Sequence, residues 1–144
     1  MPKEFLTDAV IENKVKIANY FPHILFKTKG KFEDYTNILV IRLLTNKFAK
    51  FSIYPLKSSK IVKIVLIGFD FQNKMIQDTI KQLKNYNIIH TSGLTSLGKR
   101  SYYECYLDIS MSDKDYKYLK SVLDNVKNIF EDIKIVEIGL NLKS

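Results

Sequence analysis

The sequence predicts an α+β protein, and two patterns within residues 60–142 carry that prediction. Four stretches of strand length are rich in β-branched residues or alternate between apolar and polar residues. Two further stretches carry apolar residues at helical spacing. Their order is strand, helix, strand, strand, helix, strand, which is a split βαβ arrangement. We therefore expect residues 60–144 to form one βαββαβ domain and residues 1–59 to form an N-terminal extension or a small subdomain.

The first predicted strand, Lys60–Phe69, is apolar on both faces apart from Lys63. Such a strand is typical of the centre of a sheet that is covered on both sides. A polar turn at residues 70–73 leads into a predicted amphipathic helix over Asn73–Tyr86. The helix presents a single apolar stripe, so we expect it to pack on one face of the sheet.

The second and third predicted strands, Ile88–Leu94 and Ser101–Ser110, are separated by a loop containing Gly98. The third strand alternates, which predicts one buried face formed by Tyr103, Cys105, Leu107 and Ile109. Ser112 and Asp115 resemble a capping box that opens the second helix. Ile133–Leu142 is predicted to close the unit as its fourth strand.

The N-terminal extension is predicted to begin with a helix over Lys3–Tyr20, which Pro22 ends. Three strand-like stretches follow, bounded by Gly30, Thr45-Asn46 and Pro55: Ile24–Lys29, Ile38–Leu44 and Phe48–Tyr54. We expect these strands to pack on the main sheet or to extend it.

The composition is ordinary for a globular protein, with 144 residues of which 46% are hydrophobic and 26% are charged. The single cysteine, Cys105, excludes an intramolecular disulfide and fits a reducing compartment. The N-terminal residues do not resemble a signal peptide, and the apolar stretches are too short to cross a bilayer. We therefore expect a cytoplasmic protein without a membrane partner.

The net charge of +8 is concentrated in the N-terminal part. Residues 1–60 carry 11 Lys/Arg and 5 Asp/Glu, whereas residues 61–144 carry 12 and 10. A basic surface of this kind could meet phosphates or an acidic partner. The interpretation we favour is the solvated surface of a lysine-rich protein.

Residues 60–142 resemble an ACT domain in the layout of their segments, which include VLIGFDFQN (Val65–Asn73), IIHTSG and ECYLDIS. The resemblance implies a ferredoxin-like fold that serves regulation and binds small effectors, commonly amino acids. The family's proline and glycine in the turn after the first strand are here Gln72 and Asn73. Carried over by position, the effector-binding residues would be Asp70, Asn73, His90, Thr91 and Ser92.

Two other functions stay open. RNA-recognition domains share the element order and stack bases on strand aromatics, but here Glu104 lies between Tyr102 and Tyr106, and Lys63 is expected to face outward. A looser basic surface for RNA or DNA would use Lys27, Lys29, Lys31, Lys99 and Arg100. In a pure interaction module, Tyr102 and Tyr106 would lie at an interface. Their alternative role is packing beneath the N-terminal segment.

Catalysis is not predicted. The two histidines, His23 and His90, lack the neighbouring ligands of a metal site, and Cys105 falls on the predicted core face. We therefore expect no catalytic residues, no metal and no cofactor. The sequence favours a non-catalytic regulatory or assembly domain that acts as a homodimer.

Overall fold

The computed structural model describes residues 6–13, 15–16, 35–56, 60–109 and 113–139, without the side chains of residues 113–115. This part of the chain is an α+β structure with two sheets and two helices. The strands are β1 (Asp8–Asn13), β2 (Asn37–Leu44), β3 (Ala49–Leu56), β4 (Ile61–Gly68), β5 (Ile88–Leu97), β6 (Arg100–Asp108) and β7 (Asp132–Ile138). The helices are α1 (Lys74–Leu83) and α2 (Asp113–Val126), and a 3-10 turn at Lys127–Ile129 follows α2.

The described residues divide into two compact units. One unit contains Leu6 and the described residues between 60 and 137, and the other contains those between 7 and 56 together with residues 138 and 139. Each unit has its own sheet, in the order β5-β6-β4-β7 in the first and β1-β2-β3 in the second.

The first unit is built around β4, whose eight residues are all buried. β4 pairs antiparallel with β6, so that Ile64 lies opposite Cys105 and Leu66 opposite Tyr103. These residues form one face of the sheet and pack in a core with the apolar stripes of both helices. Helix members of that core include Ile76, Leu83, Leu119 and Leu123. The predicted buried face of the third strand and the predicted helix stripes are therefore confirmed.

The opposite face of β4 is also covered. Val65, Ile67 and Tyr102 form a second buried cluster against which Leu6 packs. The prediction that this strand is apolar and buried on both faces is confirmed. Lys63 is buried as well, so the expectation that it faces outward is wrong.

The hairpin between β5 and β6 is closed by Gly98 and Lys99, between the paired residues Leu97 and Arg100. Gly98 has a φ of +65°, a conformation that favours glycine, at the first position of this two-residue turn. Earlier in β5 the pairing shifts register twice, between residues 88 and 90 and between 91 and 93. Gly93, at the second shift, also has positive φ.

In the second unit, β2 pairs antiparallel with both β1 and β3. The strands predicted from Ile38 and Phe48 are confirmed as β2 and β3. The predicted helix over Lys3–Tyr20 is wrong at residues 8–13, which form β1 because pairing with β2 overrides a thin helical stripe. Val15 and Lys16 are helical. The strand predicted over Ile24–Lys29 lies outside the described residues.

These three strands form a sheet of their own, so they do not extend the four-stranded sheet. That half of the prediction for the N-terminal extension is wrong. Within the described residues the N-terminal strands pair with one another instead, β2 with β1 on one side and with β3 on the other.

Candidate functional site

The outer edge of β5 is the feature of the first unit that is best placed to meet another molecule. β5 lies at the end of the strand order, and no described strand pairs with its outer side. Its ten residues contain no Lys, Arg, Asp or Glu. Leu94 keeps 56% of its surface exposed, and Leu97 is exposed too. We call residues 94–97, with their outward backbone groups, the β5 edge.

The other end of the same sheet shows how an edge strand is usually protected. β7 carries Asp132, Lys134 and Glu137 within seven residues. Charged side chains of this kind discourage pairing with another chain, and bulges do the same. β5 has bulges only in its first half, before Leu94. The β5 edge therefore has neither form of protection.

The outward backbone groups of the β5 edge follow from the hairpin geometry. In a two-residue hairpin the residues that flank the turn, here Leu97 and Arg100, exchange backbone hydrogen bonds, and the next pair does not. Ser96 and Ser101 form that next pair, and their hydroxyl oxygens lie 3.4 Å apart. The N–H and C=O groups of Ser96, and by alternation those of Leu94, therefore point away from β6.

The predicted effector residues on β5 serve the bulge. The Ser92 hydroxyl accepts a hydrogen bond from the Glu104 N–H at 3.0 Å and donates to the Gly93 carbonyl at 2.8 Å. The Thr91 hydroxyl accepts from the Gly93 N–H at 3.1 Å. His90 stacks edge-on against Tyr106, with ring centroids 6.0 Å apart. Each side chain thus has a local partner that stabilises the irregular strand.

The predicted effector residues of the turn also have local partners. Asp70 Oδ1 accepts from the Gln72 N–H at 3.0 Å, and Asn73 Oδ1 accepts from the Met75 N–H at 2.8 Å. Asn73 is the N-cap of α1, with φ −56° and ψ 130°. It does not adopt the left-handed conformation that the family's glycine could supply.

The strand register separates the two predicted groups of effector residues. Asp70 and Asn73 follow Gly68 at one end of β4, whereas His90 lies level with Lys63 through their shared neighbour Tyr106. Lys63 and Gly68 are five positions apart, which is about 16 Å along a strand. His90 is also two strands away from β4. The structure does not gather these residues around one point.

The residues expected at an interface, Tyr102 and Tyr106, are buried within the single chain. Tyr102 packs with Leu6, and Tyr106 lies between His90 and Lys63, whose Nζ is 5.6 Å from the ring centroid. Neither ring offers surface to a partner here. The packing of Tyr102 with Leu6 fits the alternative in which these aromatics lie beneath the N-terminal segment.

The residues of the nucleic-acid alternative fall into two groups. Lys27, Lys29 and Lys31 lie outside the described residues. Lys99 is exposed at the hairpin turn, but the Arg100 guanidinium lies 2.6 Å from the Glu131 carboxylate. This ion pair reduces the positive charge that Arg100 could offer to a phosphate.

Cys105 is buried, and its burial raises the pKa of the thiol from 9.0 to about 12. A thiol in this state is neither a nucleophile nor a ready metal ligand. Burial also raises the pKa of Tyr103, and a hydrogen bond with the Thr91 side chain partly offsets that effect. Among the described residues, no three His, Cys, Asp or Glu side chains are grouped so that they could hold a metal ion.

No protein-family model matches this chain, and no curated protein matches its sequence. Within the described residues, neither helix combines the length and the apolar character that crossing a bilayer requires. Leu94 and Leu97 were not predicted as interface residues from the sequence, although the lack of charge along Ile88–Leu97 was a signal that could have identified them.

Proposed function

We propose that this protein is a non-catalytic assembly domain that forms a homodimer by pairing β5 with β5 of a second copy. The observation that carries the proposal is the unprotected β5 edge, where Leu94 is exposed and no charged side chain opposes pairing. The domain would be a ferredoxin-like βαββαβ unit similar to an ACT domain. The element order from β4 to β7 and the strand order β5-β6-β4-β7 support that assignment.

A two-fold axis beside Thr95 would generate the dimer. The outward groups of Leu94 in one copy would then bond those of Ser96 in the other, and the reverse, because a two-fold interface is isologous. Both residues lie on the helix side of the sheet, since Leu94 is opposite Tyr103 and Ser96 opposite Ser101. Pairing would cover the exposed Leu94 side chain and satisfy backbone groups that otherwise bond only water.

The same geometry favours assembly over effector binding. Asp70 and Asn73 are engaged in the turn and the helix cap, and His90, Thr91 and Ser92 lie at another level of the sheet. A thermal-shift screen against amino acids and nucleotides tests the effector alternative, because a ligand that binds the native state raises the melting temperature. A rise with one compound that Asp70→Ala abolishes would favour a regulatory function.

Light scattering on a sizing column tests the assembly proposal. The wild-type protein is expected to elute as a dimer and Leu94→Lys as a folded monomer, because the lysine places like charges at the axis. Met75→Lys is the matched control, since Met75 is 57% exposed but lies on α1. A wild-type monomer at every concentration, or a Leu94→Lys dimer, would contradict the proposal.

A further inference from the structure

A second exposed apolar cluster lies in the other unit, at the closed end of the β2–β3 hairpin. We call residues 44–51 the hairpin tip. Leu44 is 44% exposed, and Phe48 and Phe51 are each 56% exposed. Leu44 lies opposite Ala49 and Arg42 opposite Phe51, so Leu44 and Phe51 are diagonal neighbours on one face of the sheet. Phe48 belongs to the turn that joins the strands.

The hairpin tip itself carries positive charge and no carboxylate. Lys47 and Lys50 lie within the hairpin tip and are exposed. The sequence contains no Asp or Glu between Tyr35 and Phe69. Among the residues that the structure describes, no carboxylate forms an ion pair with either lysine. The tip is therefore both apolar and cationic.

Most backbone N–H groups of the turn donate hydrogen bonds to acceptors within the turn. The Thr45 N–H donates to the Phe48 carbonyl at 2.9 Å, and the Thr45 hydroxyl donates to the same oxygen. The Thr45 Oγ1 also accepts from the N–H groups of Lys47 and Phe48. Three of the four N–H groups in the turn thus have acceptors inside it. That arrangement lowers the cost of placing the turn in an environment poor in water.

We propose that the hairpin tip docks on the surface of an anionic lipid bilayer. Phe48, Phe51 and Leu44 would enter the boundary between headgroups and acyl chains, and the two lysines would meet anionic headgroups. The Arg42–Phe51 pair lies two residues, or about 7 Å along the strand, from the Leu44–Ala49 pair next to the turn, which suits a shallow interfacial depth. Such docking needs no membrane-spanning segment. The expectation of no membrane partner rested on apolar stretches that are too short to span a bilayer, and surface docking does not depend on them.

Two other occupants fit the tip less well. A second copy would bring Lys47 and Lys50 against their own counterparts, with no acidic residue of the hairpin to offset them. A single-stranded nucleic acid lying along the strands from Phe51 would meet Asp8, whose carboxylate clamps Arg42 through contacts of 3.0 and 2.6 Å. This ion pair carries no net charge, so the strands beyond the tip do not continue the positive surface that a nucleic-acid backbone would follow.

The chain contains no tryptophan, so a single Phe48→Trp substitution gives a reporter at the tip. The matched control is Phe69→Trp, since Phe69 is similarly exposed but belongs to the other unit. Both proteins would be mixed with vesicles of phosphatidylcholine alone or of phosphatidylcholine with phosphatidylserine. We expect a blue-shifted emission, quenched by brominated acyl chains, for Phe48→Trp with phosphatidylserine only. Phe69→Trp is expected to show no change.

Vesicle co-sedimentation with charge variants supplies the second measurement. Lys47→Gln/Lys50→Gln is expected to weaken binding about tenfold or more, whereas Lys74→Gln/Lys84→Gln on and after α1 leaves it unchanged. Absence of binding to either vesicle, or a blue shift of equal size at Phe69→Trp, would overturn the proposal. Binding to a labelled oligothymidine but not to phosphatidylserine would overturn it in favour of nucleic acid.

Discussion

Lys63 on β4 and Glu104 on β6 form a buried ion pair, with 3.3 Å between the Lys63 Nζ and the Glu104 Oε2. Their side chains are 4% and 0% exposed. They are diagonal neighbours on one face of the sheet, because Lys63 lies opposite Tyr106 and Glu104 opposite Val65. The same Glu104 oxygen accepts the Leu6 N–H at 2.8 Å. One carboxylate thus links β4 and β6 to Leu6.

Removing one partner of this pair should destabilise the protein strongly, because it leaves the other charge buried. Lys63→Met is expected to lower the free energy of unfolding by about 3–5 kcal/mol. The double variant Lys63→Met/Glu104→Leu is expected to recover most of that loss. Urea titration measures the free energy of unfolding of both variants. Arg42→Met, which breaks the exposed ion pair with Asp8, is the control and should change little.

If Lys63→Met/Glu104→Leu lost as much stability as Lys63→Met and Glu104→Leu together, the pair would not behave as a coupled unit. The burial of Lys63 would then need another explanation.

The raised pKa of Cys105 predicts a pH dependence of stability. The folded protein holds the thiol proton up to about pH 12, whereas the unfolded chain releases it near 9.0. The stabilisation is therefore complete below pH 9.0 and is lost as the pH rises towards about 12, by at most about 1.4 kcal/mol per pH unit. Denaturant titrations across this range should show a steeper decline for the wild type than for Cys105→Ala. Parallel declines in the two proteins would show that the thiol makes no such contribution.

The turn between β5 and β6 depends on the positive φ of Gly98. Gly98→Ala should lower the free energy of unfolding by about 1–2 kcal/mol, because a Cβ is strained at φ +65° even though no other atom lies nearby. Gly139→Ala is the matched control, since it too has open space but not a positive φ. Equal losses in the two variants, measured by thermal or urea unfolding, would disprove the assigned turn.

Asn73 is expected to act through the helix cap and not through a ligand. Asn73→Ala should cost about 1 kcal/mol of unfolding free energy, and Asn73→Gly only a few tenths, because glycine is a tolerable N-cap. Asn85→Ala, beyond the end of α1, serves as the comparison. If an added amino acid stabilised the wild-type protein but not Asn73→Ala, Asn73 would instead belong to an effector site.

Local patterns in the sequence predicted most of the strands and helices of the first unit. The β-branched residues of β4, the alternation of β6 and the stripes of the two helices were enough to place them. These signals depend on neighbours two to four residues away, and such spacings are visible without knowledge of the fold. Strand β5 was predicted to end at Leu94, three residues before its end at Leu97.

The features that matter most for function depend on distant residues. Lys63 is buried because Glu104, 41 positions later, lies diagonally across the sheet, and no local pattern reveals that register. β1 is a strand because it pairs with β2, in a register that places Asp8 opposite Arg42, 34 residues further along the chain. The edge position of β5 is likewise a property of the strand order. The sequence therefore predicted interface aromatics that proved buried and missed the leucines that are exposed.

Hydrogen exchange at Leu94 and Ser96 tests the central claim most directly, because their N–H groups point away from β6 and bond to another copy only if the β5 edges pair. We expect both amides to be protected in the wild-type protein, with protection that fades on dilution and is lost in Leu94→Lys. Met75→Lys should retain it. Rapid exchange of both amides at concentrations where the wild type is dimeric would show that the dimer forms elsewhere.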